Sequence, residues 1–244
     1  AGYGILGIEY HPNGKNDPSL HCPRTNENSS WFHSYGAIIG RHFNAQVSTV
    51  ALSGWGISRG YGGAPNDLIP TIYSTLLGKW SDLSYSFSTI MDAVLINLGG
   101  NDWSGGDPGV VFENAYLAFL KSVRAKNPKA HIFLTLGPWV NPANALGAKT
   151  RVNNVMKKWV LETGDENISY FDFGCQNHGS NWEIPTGSDW HPNVLEHKRS
   201  SRILINELLK IGWKSANLSA TAQSDVKINP SAGKKFALSF DMRT

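Results

Sequence analysis

Two hydrophobic periods alternate along this chain. Residues 92–98 (Asp-Ala-Val-Leu-Ile-Asn-Leu) form a near-continuous apolar run of strand length, the pattern of a parallel strand buried on both faces. Residues 47–52, 131–136 and 168–173 repeat that character. Between them the period changes to that of a helix. Phe112, Ala115, Tyr116, Phe119, Leu120 and Val123 make one stripe, and Val152, Val155, Met156, Trp159 and Val160 another. Residues 194–211 read as a third helix, and Trp31, Tyr35, Ile38, Ile39 and His42 mark a fourth within 31–44. Residues 66–77 are expected to be helical, capped by Asn66 or Asp67. Residues 1–28 hold no period and read as a long surface loop, while 214–233 are rich in Ser, Ala, Asn and Lys. One more strand is expected at 234–240.

Strands alternating with helices predict an α/β fold, a parallel sheet with helices on both faces in three α/β/α layers. Three turns then follow strands and converge on one rim: Ser53-Gly54-Trp55-Gly56, Gly99-Gly100-Asn101-Asp102-Trp103 and Ser188-Asp189-Trp190-His191-Pro192-Asn193. Open α/β sheets carry their chemistry outside the carboxyl ends of the strands. His191 lies on such a loop, and imidazole suits proton transfer near neutral pH. Taken singly, each turn also fits a plain structural role.

Composition narrows the classes. With 41% apolar and 17% charged residues in 244, the chain is ordinary globular material. No apolar run reaches the roughly 18 residues of a membrane span, so no membrane partner is expected. The net charge of +3 is scattered, and short clusters such as Lys157-Lys158 read as solvated helix faces, so no nucleic-acid partner is expected. The histidines show no metal-ligand spacing, and no metal or cofactor is implied. Several of the nine tryptophans fall in loops, where some line sugar sites and others only pack; Trp103, Trp139 and Trp190 are the candidates for substrate binding. Cys22 and Cys175 both fall in loops near the rim and are a possible disulfide. The triplets Asn28-Ser29-Ser30, Asn167-Ile168-Ser169 and Asn217-Leu218-Ser219 are compatible with secretion, and the start Ala1-Gly2-Tyr3-Gly4 fits a mature or trimmed secreted protein.

The order Ser-Gly-x-Gly, Gly-Gly-Asn-Asp, Asp-Trp-His-Pro-Asn resembles the SGNH (GDSL-type) hydrolases over about residues 1–212. Asn-Leu-Gly-Gly-Asn-Asp-Trp and Asp-Trp-His-Pro-Asn look most like carbohydrate esterase family 2, enzymes that remove acetyl groups from plant polysaccharides. The resemblance implies a flavodoxin-like parallel sheet and a serine esterase acting on a small ester or acetylated polysaccharide. Gly54 would offer a backbone N–H and Asn101 a side-chain amide to the oxyanion, and His191 would be the general base. Each preorganised donor is worth roughly 100- to 1000-fold in rate, and a serine hydroxyl needs a neighbouring base to attack at neutral pH.

The chain departs from that family in two places. Members usually place an aspartate three residues before the histidine, where Ser188 stands here. A backbone carbonyl can orient the histidine instead, with Asp189 as a second candidate. The family's Gly-Asp-Ser block, at the end of its first strand, is also not seen before Ala1. That strand is central in the fold, so its slot must be filled. Residues 234–240 can fill it, read as a permuted register in which Phe240-Asp241-Met242-Arg243-Thr244 leads into Ala1-Gly2 with Met242 at the serine position. The alternatives are a truncated chain, a strand donated by a partner, or a fragment of another module. The expected organisation is a hydrolase-like domain at 1–212 and an extension at 213–244. Ser53 and Ser239 are candidate replacement nucleophiles. A carbohydrate-binding protein that keeps the cleft without the serine is the competing reading, and oligomeric state is not legible.

Overall fold

The computed structural model describes residues 5–7, 21–23, 25–76, 78–138, 142–175, 186–215 and 234–242, and for 142–144 and 238–242 the backbone alone. Five parallel strands form the sheet: β1 (Gln46–Ser53), β2 (Ala93–Asn97), β3 (His131–Leu136), β4 (Ile168–Asp172) and β5 (Lys235–Met242), in the order β1-β5-β2-β3-β4. The last strand in the chain is therefore central in the sheet. Phe236 pairs with Val47 on one side and Ala93 on the other. The slot expected for residues 234–240 is filled by β5, and sheet hydrogen bonding joins this run to the strands before residue 212.

Side chains alternate across each strand. Val94, Ile96, Ile132 and Leu134 join a core with Phe112, Tyr116, Phe119, Val152 and Val155, from helices α3 (Val110–Lys126) and α4 (Pro142–Thr163). Ala93, Leu95, Phe133 and Phe236 face the other way, onto Tyr35, Ile39, Leu204 and Leu208 of α1 (Tyr35–Phe43) and α5 (Val194–Lys210). The unbroken apolar run at 92–98 is thus the mark of a strand covered on both faces, and the three layers follow.

Two expectations need correction. Residues 66–77 yield only one helical turn, α2 (Ile69–Ile72). Pro70 suits a helix start, but the Thr71 and Thr75 hydroxyls donate to the Leu68 and Ile72 carbonyls. Thr75 then pairs antiparallel with Ser84, so the chain turns back. The loop at 1–28 is not all surface: Ile5 is fully buried and the Leu6 N–H donates to Asn28 O at 2.9 Å.

Candidate active site

The loop before α5 is built to hold one imidazole. Ser188 is fully buried, and its carbonyl accepts from both the His191 backbone N–H (3.1 Å) and His191 Nδ1 (3.0 Å). A carbonyl can only accept, so Nδ1 carries the proton, and in the neutral ring Nε2 is the basic nitrogen. The Gly187 N–H donates to His191 O at 2.7 Å and closes the turn. Asp189 and Trp190 take left-handed φ values of 50° and 62°, a conformation costing about 1–3 kcal/mol for such residues. The surroundings hold it in place. Cys22 O accepts from the Asp189 N–H, Cys22 Sγ lies 3.2 Å from Ser188 Oγ, and a Cβ on Gly7 would sit 1.9 Å from that same Oγ. Asn193 then caps α5, its side chain accepting from the Glu196 N–H at 3.0 Å.

The other two turns are locked into one body. Gly54 follows β1 at φ 78°, a left-handed geometry that favours glycine, and its carbonyl accepts from the Tyr61 N–H at 2.7 Å. Asn101 is fully buried and donates one amide proton to Trp55 O at 2.9 Å; a primary amide has two, so this bond fixes the direction of the second. Asp102 is also fully buried. Its carboxylate accepts from the Ile57, Ser58 and Arg59 N–H groups and from Ser58 Oγ at 2.6–3.1 Å. Arg59 returns the contact through Asp102 O (2.7 Å) and Gly106 O (2.6 Å). The two chains come so close at Gly56 that a Cβ there would lie 2.0 Å from Arg59 O and 2.4 Å from the Asp102 carboxylate.

Helix α5 is pinned to the strand ends carrying these turns. His197 Nδ1 accepts from the Tyr35 N–H at 3.2 Å, and the Tyr35 hydroxyl accepts from Asn97 Nδ2 at 3.0 Å. Asn97 closes β2 and also donates to Gly137 O, just past β3. The acceptor role at Nδ1 requires neutral His197, and burial pushes its pKa down to about 3. Arg199 ties the same helix to Phe173 O, just after β4. His191, Gly54 and Asn101 therefore all sit at the carboxyl ends of the strands, as expected.

A family model described as GDSL-like lipase/acylhydrolase matches residues 13–199. The chain belongs to that family. It is 34% identical over 191 residues to the cellulase/esterase CelE of Acetivibrio thermocellus, covering 77% of this chain but 22% of that protein. Among solved structures, a family two carbohydrate esterase from Clostridium thermocellum in complex with cellohexaose is 30% identical at a TM-score of 0.77, over 87% of this chain and 62% of that one. A carbohydrate esterase family 2 enzyme plus carbohydrate binding domain from Corynascus thermopiles (Myceliophthora fergusii) is 28% identical at 0.69, over 87% and 63%. The chain thus spans about a fifth of that curated relative and three fifths of these structures.

Within this GDSL-like framework the remaining candidates separate. Asp189 lies in the His191 turn, but the Nδ1 partner described is the Ser188 carbonyl. Trp190 is half-buried beside the histidine. Trp103 corrects the expectation of a sugar-facing ring: it is 3% exposed and packs edge-on against Phe112 in the core. Trp139 lies outside the described residues, as does the third sequon at 217–219. Cys22 and Cys175 are both free thiols, so the expected pairing is absent; Cys22 instead braces Ser188. Ser239 pairs with Val50 and Ile96 inside the sheet, whereas Met242 ends β5 opposite Ser53. The motif reading gave no role to Asp102 or His197; only the place of Asp102 in the signature, next to Asn101, hinted at the former.

Proposed function

We propose that this domain hydrolyses acetyl or other short acyl esters on polysaccharide outside the cell, through a serine acyl-enzyme with His191 as base. The observation that supports this most is the Ser188 carbonyl on His191 Nδ1, which leaves Nε2 as the basic nitrogen at the rim shared with Gly54 and Asn101. In the proposed cycle His191 Nε2 takes the serine proton as the oxygen attacks the acyl carbon. The Gly54 N–H and the Asn101 amide receive the oxyanion. Protonated His191 then protonates the departing sugar oxygen, and water repeats the sequence to release the acid. The nucleophile belongs at the carboxyl end of β5, between the strands leading to Gly54 and Asn101. Met242 stands in that register, so the serine must be located by chemistry rather than by motif.

That methionine favours a second reading, a carbohydrate-binding module that grips the polymer without turnover. Initial rates on p-nitrophenyl acetate separate the two. His191→Ala should lower the rate by at least about 100-fold, the usual range for a general base; equal rates in both proteins, with cellohexaose still bound, would establish binding alone.

A further inference from the structure

Two of the three Asn-x-Ser triplets fall among the described residues, and the fold treats their asparagines differently. Asn167 stands immediately before β4, at the amino end of the sheet, and is exposed. Its backbone is committed on both sides. The N–H donates to Asp165 Oδ1 at 3.0 Å, and the carbonyl accepts from the Ile132 N–H and Arg124 Nη2, both at 2.9 Å. Its side-chain amide makes no hydrogen bond among the described residues. Asn167 also borders an open hollow walled by Ile90, Lys129, Ile211 and Trp213, which leaves room for a bulky substituent.

Asn28 is the contrast. It is half-buried, and its amide donates to Pro23 O at 3.1 Å and to Cys22 Sγ at 3.7 Å. Its carbonyl holds the Leu6 N–H, and Cys22 in turn braces Ser188 in the His191 turn. A primary amide has two protons, so any group bonded to Asn28 Nδ2 displaces one of these contacts. It would also push into the segment that supports the histidine.

We propose that Asn167 is an N-glycosylation site and that Asn28 carries no glycan in the folded chain. The acceptor triplet needs a hydroxyl two residues on and no proline between; Ile168 and Ser169 meet both conditions. The co-reactant is a lipid-linked oligosaccharide. Asn167 Nδ2 displaces the lipid diphosphate from the anomeric carbon, a C–N bond replaces the C–O bond, and one amide proton leaves to base. Transfer acts on the extended chain, before the Ser169 hydroxyl pairs with His131 Nε2 at 2.9 Å. The fold then decides which modified chains reach the native state. A glycan on Asn167 breaks none of the hydrogen bonds described, and the length of β4, about 16 Å for five residues, separates it from the rim that carries His191. Native use of the site rests on the extracellular reading above, whereas the test supplies its own secretory leader.

The test is secretion of the full chain from yeast behind a cleavable leader. Glycans are then removed by a peptide amidase in heavy-oxygen water, so that mass spectrometry reads each former site as a labelled aspartate. Asn167 should be labelled in both the secreted and the cell-retained chain, and Asn28 unlabelled in the secreted chain. Asn167→Gln and Ser169→Ala should each remove the Asn167 glycan; the first alters no hydrogen bond described, and that variant should still be secreted. An unlabelled Asn167, or an Asn28 labelled to the same extent in the secreted chain, would overturn the proposal. None of these readouts depends on ester hydrolysis, so failure of one reading leaves the other standing.

Discussion

At His191 the orienting acceptor is a neutral carbonyl 3.0 Å away, which stabilises an imidazolium less than a carboxylate does, because a carboxylate adds the attraction between opposite full charges. The proposed dyad predicts that Asp189→Ala leaves kcat within about threefold of the parent, against the roughly 10,000-fold loss when a true triad aspartate is removed. Steady-state kinetics on p-nitrophenyl acetate checks it. His197 makes a different prediction. Its folded pKa of about 3 lies below the unfolded value near 6.5. Between those values the unfolded chain binds a proton that the folded chain does not, so stability falls as pH drops through the window, by up to about 1.4 kcal/mol per pH unit. His197→Asn, whose amide oxygen can still accept from the Tyr35 N–H, should flatten the melting temperature between pH 4 and 6.5; an unchanged slope would assign the effect elsewhere. The single-residue chemistry was legible only where it follows from residue type. A histidine after an acidic residue, and an asparagine after paired glycines, announce themselves in a motif. The Ser188 carbonyl does not, because every residue has one and only the turn aims it.

Between elements, the proposed oxyanion donors Gly54 and Asn101 depend on a lock that joins two strand-end turns. Asp102 gathers four donors from residues 57–59 one position after Asn101, so the turn after β1 and the turn after β2 move together. Asp102→Asn points an amide donor at N–H groups, and the expected loss is roughly 2–4 kcal/mol from broken charge-assisted bonds. Denaturant midpoints give that cost, and amide exchange at Ile57, Ser58 and Arg59 should quicken first. The four longer helices and all five strands were legible because each has one period and a covered face. The 66–77 stretch was not: its apolar spacing suits a helix, but threonine hydroxyls bonded to nearby carbonyls end it after one turn.

Over the whole molecule, β5 decides the architecture. Phe236 is fully buried in the core between the sheet and helices α1 and α5, and Phe236→Ala should cost about 3–5 kcal/mol in urea unfolding; a peripheral appendage would lose under about 1 kcal/mol. The apolar pattern at 234–240 announced a strand, but its neighbours could be inferred only because two buried rows of backbone groups flanking an empty slot would be too costly to leave unpaired. The same strand frames the functional question, since its carboxyl end, flanked by Gly54 and Asn101, is where the proposed acyl transfer would need its nucleophile. The most direct measurement is labelling of the folded chain by a fluorophosphonate, with the adduct mapped by mass spectrometry. One adduct per chain, on one serine and lost in His191→Ala, is the result expected of a serine acyl-enzyme site; a folded chain that takes up no label would contradict it.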